Sequence, residues 1–250
     1  MTRIIINGCS GHMGQVLTEI IAANPETSVV AGVDARSSAR EYPIYGAVSE
    51  VKEEADCVID FSTAACVDRL LEDCMAKKLP LVLCTTGLSP EQLQKVQEAS
   101  RVIPVLRSAN MSLGINLLFK LVASAASVLA KQDFDMEIVE MHHRRKLDAP
   151  SGTAIALAEA IQSALDEEYP FVYNRSDRRQ QRPSNEIGIS AVRGGTIVGV
   201  HNVIFAGQDE VIEINHTAYS RAIFAKGAVA ASVFLAGREP GMYDMSQVIG

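Results

Sequence analysis

The sequence predicts an α/β protein with an N-terminal parallel sheet flanked by helices and a second, α+β domain behind it. Three observations predict this. Strand-like and helix-like stretches alternate from residue 3 to residue 106. The strand-like stretches there are short apolar runs, as strands covered on both faces require. Beyond residue 111 the alternation gives way to a long Ala- and Leu-rich helix and then to a β-rich stretch between two further helices.

The elements follow in order. Arg3 to Asn7 is Ile-rich and runs into glycines, so it reads as a buried strand. Met13 to Ala23 places Met13, Val16, Leu17, Ile20 and Ile21 at helical spacing. Ser28 to Val33, Cys57 to Phe61, Leu79 to Cys84 and Arg101 to Leu106 read as strands, and Ala64 to Lys78 as a helix. Ser89-Pro90-Glu91-Gln92 is a helix start, with Ser as the cap, Pro in the first turn and Gln three residues after the cap.

Leu113 to Ala130 reads as a buried helix, Met136 to Met141 as a strand and Ser151 to Leu165 as a helix. Asp166 to Asn185, polar and arginine-rich with two prolines, reads as an exposed loop. Ile187 to Val192, Thr196 to Phe205 and Glu210 to Thr217 read as strands joined by Gly-containing turns. Arg221 to Ala236 is an apolar helix that returns to the first domain. The expected domains are 1–111 with 221–250, and 112–220.

Composition narrows the function. The chain has 250 residues, enough for one large domain or two small ones, and a net charge of -7, which argues against nucleic acid or an anionic membrane as partner. No unbroken apolar run reaches the roughly 18 residues expected of a spanning helix. The N-terminus lacks a signal-peptide layout. Five cysteines between Cys9 and Cys84 form no C-x-x-C pair. They suit reduced thiols in the cytoplasm rather than a disulfide scaffold or a zinc site.

Gly8-Cys9-Ser10-Gly11-His12-Met13-Gly14 lies between the first strand and the first helix. Glycines there let the backbone turn tightly and approach a pyrophosphate, which the helix N-terminus then faces with free N–H groups. Asp34 follows the second strand, 20 residues after Gly14, where an acidic side chain holds ribose hydroxyls. The spacing G-x-x-G-x-x-G departs from G-x-G-x-x-G and alone would mean only a strand-helix turn. Its place after a strand, before a helix and ahead of Asp34 favours a Rossmann-type dinucleotide site.

Glu140-Met141-His142-His143-Arg144-Arg145-Lys146 gathers six titratable side chains just past a strand end, where α/β folds place chemistry. Ala149-Pro150-Ser151-Gly152-Thr153 then opens a helix, a second N-terminus suited to an anion, with Lys146 as a nearby positive charge. His142 or His143 would supply the proton that accompanies a hydride. In a strand the two point to opposite faces, so one acts while the other packs or orients. The bland alternative is a solvated connection. Adjacent histidines cannot easily share one ion, so no metal is expected.

Other residues are read more plainly. His201 and His216 are expected to be packed or surface histidines on the β-rich strands. Arg193-Gly194-Gly195 forms a turn that either faces the substrate or merely joins strands. Asn110 touches the nicotinamide or caps a turn. Cys9 and Cys84 are small buried residues near the cofactor loops, not nucleophiles.

At these residues the chain resembles the dihydrodipicolinate reductase family. The resemblance runs through Gly8-x-x-Gly11-x-Met13-Gly14, Thr85-Thr86-Gly87, Ser108-Ala109-Asn110-Met111-Ser112, the stretch Glu140 to Thr153, Arg193 to Gly199 and Phe224-Ala225-x-Gly227-Ala228, in order over essentially the whole length. It implies reduction of 4-hydroxy-tetrahydrodipicolinate to tetrahydrodipicolinate with loss of water, in lysine and diaminopimelate biosynthesis. It implies His142 as proton donor, Lys146 on a substrate carboxylate, and His143, Ser151, Gly152 and Thr153 on the substrate. Gly8, Cys9, Ser10, Gly11, His12, Met13, Asp34, Cys84, Thr85, Thr86, Ser108, Ala109, Asn110 and Met111 fall on dinucleotide-binding positions.

The resemblance further implies a small dicarboxylate substrate and a homotetramer built through the second domain. Cofactor and substrate would come from different domains, with hinges near Met111 and Ser220. Two departures bear on the cofactor. His12 stands where many family members, and Ala35 where some, carry arginines that hold the 2′-phosphate of NADPH; Arg36, one residue later, could substitute, whereas Asp34 would repel that phosphate. NADH, or use of both NADH and NADPH, is therefore expected. Two other readings compete: an amino-acid dehydrogenase sharing the glycine loop, and a catalytically silent dinucleotide sensor. The first would not need the His142 to Thr153 pattern, and the second would not need His142 and Lys146.

Overall fold

The computed structural model describes residues 1–36, 40–176 and 178–250 and divides into two compact units, Met1–Ser112 with Ala222–Gly250, and Leu113–Arg221. The chain opens with β1 (Thr2–Asn7), α1 (His12–Ala22), β2 (Thr27–Val33), β3 (Ile44–Tyr45), β4 (Cys57–Asp60), α2 (Ala64–Lys77), β5 (Leu81–Leu83), α3 (Pro90–Ala99) and β6 (Pro104–Leu106). The second unit holds α4 (Leu113–Leu129), β7 (Asp135–His142), α5 (Gly152–Gln162), β8 (Phe171–Val172), β9 (Ile187–Arg193), β10 (Gly199–Ala206) and β11 (Val211–Ala218). The chain then returns through α6 (Ala222–Leu235), β12 (Gly241–Tyr243) and α7 (Met245–Val248).

The first sheet has seven strands in the order β12-β6-β5-β4-β1-β2-β3, and each pairing is parallel. Period-two alternation sends its side chains into two cores. Ile4, Ile6, Ile59 and Val82 join Leu17 and Ile21 of α1 and Ala225 and Ala228 of α6 on one face. Ile5, Val58, Leu81 and Leu83 join Leu70, Leu71 and Cys74 of α2 and Val96 of α3 on the other. Helices on both faces explain why the strands read as unbroken apolar runs. As its sequence predicts, α3 starts in a capping box: the Gln92 N–H donates to Ser89 Oγ at 3.2 Å and the Ser89 N–H to Gln92 Oε1 at 3.1 Å.

The second sheet is mixed, in the order β11-β10-β7-β9-β8. Helices α4 and α5 cover one face, burying Met136, Ile138, Ile187, Ile189, Val203 and Phe205.

Several expectations need correction here. The strand expected from Arg101 begins at Pro104, because the chain turns after α3 before it can pair. The strand expected from Thr196 begins at Gly199: the Gly194 N–H donates to the His142 carbonyl at 2.9 Å and the Arg144 N–H to the Gly195 carbonyl at 3.3 Å, so residues 194–198 serve a turn instead.

Helix α4 is not a buried helix. Ile115, Leu118, Val122 and Ala126 face the core, whereas Leu117, Leu121 and Val128 are 51%, 46% and 62% exposed, since one sheet covers only one stripe of a helix. Nor was the count of apolar runs sufficient. Leu113–Gln132, with mean hydropathy 1.8, is long and apolar enough by length and composition to cross a bilayer, although its core-facing stripe packs against the second sheet.

The segment expected as an exposed loop at 166–185, of which Asp177 lies outside the described residues, contains β8, which pairs with β9. Its Arg182 is largely buried. It donates to Asp135 at 2.5 Å, to Glu137 at 3.0 Å and to the carbonyls of Met136 and Glu186 at 3.0 and 2.7 Å. Arg175 pairs with Glu137 and Glu186.

Candidate active site

In a parallel sheet every strand ends at the same edge, and that edge of the first unit carries the glycine loop after β1. The loop's shape requires glycine at two places. Gly8 has φ +81°, and a Cβ there would lie 2.7 Å from the Phe61 carbonyl oxygen. A Cβ on Gly14 would lie 2.4 Å from the Gly8 carbonyl oxygen. Gly11 caps α1 without a side-chain hydrogen bond, so the first-turn N–H groups remain open to an anion.

Asp34 locks the loop: its two oxygens accept the N–H groups of Ser10 and Arg36, each at 3.0 Å. A cavity of about 500 Å³ is lined by Gly8, Ser10, Gly11, Asp34, Arg36 and Arg69, among others. Its volume and its glycine floor fit a dinucleotide, and its rim carries the Asp34 carboxylate together with Arg36 and Arg69.

The other expected cofactor residues sit as follows. Cys9 turns its thiol into the core beside Gly32, so only its backbone belongs to the loop, and burial pushes the thiol pKa up. Met13 packs on the same core, and His12 is exposed in the first turn of α1. Cys84, Thr85 and Thr86 follow β5, while Ser108, Ala109, Asn110 and Met111 follow β6, at the edge that carries the glycine loop. None of these seven lines the 500 Å³ cavity. Asn110 Oδ1 accepts the Ser112 N–H at 2.8 Å, the turn-capping alternative of its sequence reading. Met111 is buried where Gly227 makes room, since a Cβ on Gly227 would strike the Met111 carbonyl.

One residue at this edge had no expected role. Asp60, fully buried at the end of β4, accepts from Asn7 Nδ2 at 2.8 Å and the Ser62 N–H at 3.1 Å on one oxygen, and its other oxygen has no hydrogen-bond partner among the described residues.

In the second unit, alternation along β7 puts Met136, Ile138, Glu140 and His142 on the buried face. Glu140 is fully buried and has four polar atoms bonded to its carboxylate. His142 Nδ1 lies 2.6 Å from Oε2, Arg193 binds both oxygens at 2.8 and 2.7 Å, and the Ser151 N–H donates to Oε1 at 2.9 Å. Register delivers two of these neighbours, for Arg193 pairs with His142 across β9 and His201 with Glu140 across β10. His201 Nε2 lies 3.2 Å from Ser151 Oγ, and its ring meets that of His142 edge-on at 5.2 Å between centroids.

Ser151 caps α5 by accepting the Ala154 N–H at 3.2 Å. Gly152 and Thr153 form the first turn, and Gly152 is exposed. Lys146 Nζ lies 2.9 Å from Asp148, whose backbone carbonyl accepts from Arg193 at 2.6 Å. His143 is half-buried, and its carbonyl accepts the Lys146 N–H at 3.1 Å. The structure thus gathers His142, Lys146, Ser151, Gly152 and Thr153 around one short loop. His201 is packed, as expected, but it packs within this cluster. Arg193 does more than join strands. Glu140 and His201 carried no expected role, although the i, i+2 spacing of Glu140 and His142 already put both on one face.

The electrostatics follow from burial. Burial lifts the Glu140 pKa, but Arg193, His142 and the Ser151 N–H outweigh it, so the carboxyl titrates below its ordinary range. Burial lowers His142, with Glu140 opposing and Lys146 and Arg193 adding to the lowering. His201 falls to about 4, chiefly by burial. Lys146 holds Asp148 below the usual carboxylate range. Among the described residues no cluster of three or more His, Cys, Asp or Glu is placed to hold a metal ion.

Comparison with known proteins identifies the family. Residues 2–111 match the family model "Dihydrodipicolinate reductase, N-terminus", and residues 114–249 match "Dihydrodipicolinate reductase, C-terminus". The 4-hydroxy-tetrahydrodipicolinate reductase of Caldanaerobacter subterraneus subsp. tengcongensis is 53% identical over 249 residues, covering 100% of this chain and 98% of that protein. That of Clostridium tetani is 47% identical, covering 98% and 96%. A dipicolinate-bound dihydrodipicolinate reductase from Paenisporosarcina sp. TG-14 shares the fold at a TM-score of 0.82 and 24% identity over 99% of both chains. The chain therefore belongs to the dihydrodipicolinate reductase family and, with it, to the NAD(P)H-dependent oxidoreductases.

Proposed function

We propose that this protein reduces 4-hydroxy-tetrahydrodipicolinate to tetrahydrodipicolinate, with release of water, in the biosynthesis of diaminopimelate and lysine. The observation that carries the reading is the convergence of His142, Lys146 and the N-terminus of α5 on one loop of the second unit. A bound nicotinamide would supply the hydride, and the glycine loop, Asp34 and the edge residues at 84–86 and 108–111 would hold its dinucleotide. His142 gives the accompanying proton from Nε2. Lys146 and the N-terminal end of α5 at Gly152 and Thr153 bind one carboxylate of a small dicarboxylate, and His143 borders it. In the free protein His142 is biased towards neutrality; a dianion placed beside it raises its proton affinity, so the proton is loaded when substrate is present.

The test is direct. The condensation product of pyruvate and aspartate semialdehyde is generated in situ, and oxidation of NADH and NADPH is followed separately. Turnover is expected with NADH, with a kcat/KM comparable to that for NADPH or higher: the Asp34 carboxylate on the cavity rim disfavours a 2′-phosphate, and Arg36 and Arg69 on the same rim offset part of that repulsion. A preference for NADPH above about tenfold, roughly 1.4 kcal/mol, would overturn the cofactor assignment. Folded protein that binds dinucleotide but oxidises neither cofactor would overturn the activity.

Gly152 supplies a second check. A Cβ there would meet nothing within 4 Å, so neither the fold nor its backbone needs glycine at this position. Gly152→Ala is expected to leave the melting temperature unchanged or to raise it, with a gain of up to about 1 kcal/mol. The methyl intrudes on a carboxylate seated at the helix end, so KM for substrate rises about tenfold or more. An unchanged KM removes Gly152 from the site.

Assembly is read from the second sheet. Val139, Met141, Val192, Val200 and Ile204 lie on the face opposite α4 and α5, half-buried or exposed, and among the described residues no helix of this unit covers them. An apolar sheet face of this kind suits a homotetramer built through the second unit. Sedimentation equilibrium giving a monomer mass would refute it. Five unpaired cysteines support a reducing, cytoplasmic location.

A further inference from the structure

We infer that Glu140 is the positioning residue of this site: one buried carboxylate, gripped by Arg193, fixes His142 with its proton on Nδ1 and ties it to the first turn of α5. The inference rests on the proposed role of His142 but adds to it how the imidazole is set.

The argument begins with lone pairs. An ionised carboxylate offers about four acceptor positions on its two oxygens. In Glu140 three fixed donors fill three of them: the Ser151 N–H and one Arg193 nitrogen on Oε1, and the other Arg193 nitrogen on Oε2. The remaining position on Oε2 faces His142 Nδ1 at 2.6 Å. The Arg193 guanidinium bridging both oxygens keeps the carboxyl ionised, so Glu140 is a pure acceptor and Nδ1 of His142 must donate. Nε2 is then the only ring nitrogen of His142 that can take up and release a proton. On that side Gly199 gives the ring room, since a Cβ there would lie 3.2 Å from Nε2.

A structural ion pair would need only Glu140 and Arg193. Here the third and fourth donors come from the histidine and from the cap of the anion-binding helix, 11 residues further along the chain. Arg193 also donates to the Asp148 carbonyl, so the strand end, the Lys146–Asp148 loop and the helix cap all close on one carboxylate. The groups facing His142 are Glu140 from its own strand, Arg193 from β9, His201 from β10 and Lys146 from the loop. Glu140 is the sole anion among these four, and it bonds the ring directly.

Glu140→Gln isolates the effect. Gln has the same shape but offers one acceptor oxygen and one NH₂ donor. It cannot accept from Arg193, Ser151 and His142 together, and its NH₂ facing the ring makes Nδ1 the acceptor. The measurement is ¹⁵N NMR of histidine-labelled full-length protein at neutral pH, with the His142 signals assigned by their loss in His142→Gln. Wild type is expected to show Nδ1 protonated and Nε2 bare, and Glu140→Gln the reverse. In steady state Glu140→Gln should lower kcat by about 10²-fold or more, as a wrong imidazole tautomer does elsewhere. The dinucleotide Kd should stay the same, and Glu140→Asp should recover part of the loss.

A wild-type His142 protonated on Nε2 and bare on Nδ1 overturns the inference, whether or not any Glu140 variant folds. So does a Glu140→Gln protein that keeps the wild-type tautomer with kcat within about threefold, under 1 kcal/mol. The NMR needs no substrate. Wild type with the expected tautomer, switched in Glu140→Gln, but without reductase turnover would refute the proposed activity and sustain the positioning role. Turnover with the opposite tautomer would do the reverse.

Discussion

His142→Gln should lower kcat by about 10²- to 10⁴-fold, the range a positioned proton donor contributes, while dinucleotide affinity stays the same. His142 ends β7 on its buried face and is only 9% exposed, so its ring has one setting rather than many. Gln still fills the space and still donates an N–H towards Glu140. It has no group that delivers a proton near neutral pH, so the loss reads the chemical step and not the packing. Lys146→Met is the companion. It removes a fixed charge next to Asp148, so its first effect should fall on KM for the dicarboxylate, with kcat less affected. Single-turnover kinetics with each variant separate the two roles. Equal loss of kcat in both with KM unchanged would mean that Lys146 acts in the transition state and does not hold the substrate. A kcat within threefold of wild type in His142→Gln would return the proton to another group.

Much of this was legible in the chain before any coordinates. Strands such as Ile4–Ile6 and Leu81–Leu83 are continuous apolar runs because helices cover both faces of the first sheet, and burial on both faces is a local signal. The short strands were not legible. Ile44–Tyr45, Phe171–Val172 and Gly241–Tyr243 are too brief to show a period, and they become strands because a neighbouring edge offers hydrogen bonds. Arg175 and Arg182 read as loop because their acidic partners lie up to 47 residues away. Such pairs exist only once β7 and β9 are in register.

The candidate site divides along the same line. His142, Lys146 and Ser151 to Thr153 are contiguous enough for a sequence to show them together. His201 lies 50 residues beyond Ser151 and Arg193 lies 53 beyond Glu140, and both arrive through the pairing of β10 and β9 with β7. Glu140 was visible as a titratable residue. Its role depends on burial and on what faces it, which no spacing along the chain can state.

Acid should unfold the second unit early, and His201 should account for a measurable share. Its pKa falls from 6.5 to about 4 on folding, mainly because burial disfavours the imidazolium, and its Nδ1 has no hydrogen-bond partner among the described residues. Between those two values the unfolded chain binds the extra proton and the folded one does not. Stability therefore rises with pH through that window, and it is lost as pH falls from about 6.5 towards 4. A shift of this size corresponds to about 3 kcal/mol. His142 and His216, also lowered by burial, act in the same direction. Glu140, whose pKa is lowered, adds a loss that begins near its unfolded value of 4.5 and deepens as pH falls further. Denaturant titrations followed by circular dichroism at pH 7.5, 6, 5 and 4, each value an experimental choice of about one unit's spacing across the window, should show this slope in wild type and a flatter one in His201→Gln. Gln keeps a hydrogen-bonding group for Ser151 but has no proton to take up, so the difference between the two slopes belongs to His201 alone. Parallel slopes would mean that His201 is already able to ionise in the folded state, and that the cluster around Glu140 tolerates a second positive ring beside His142.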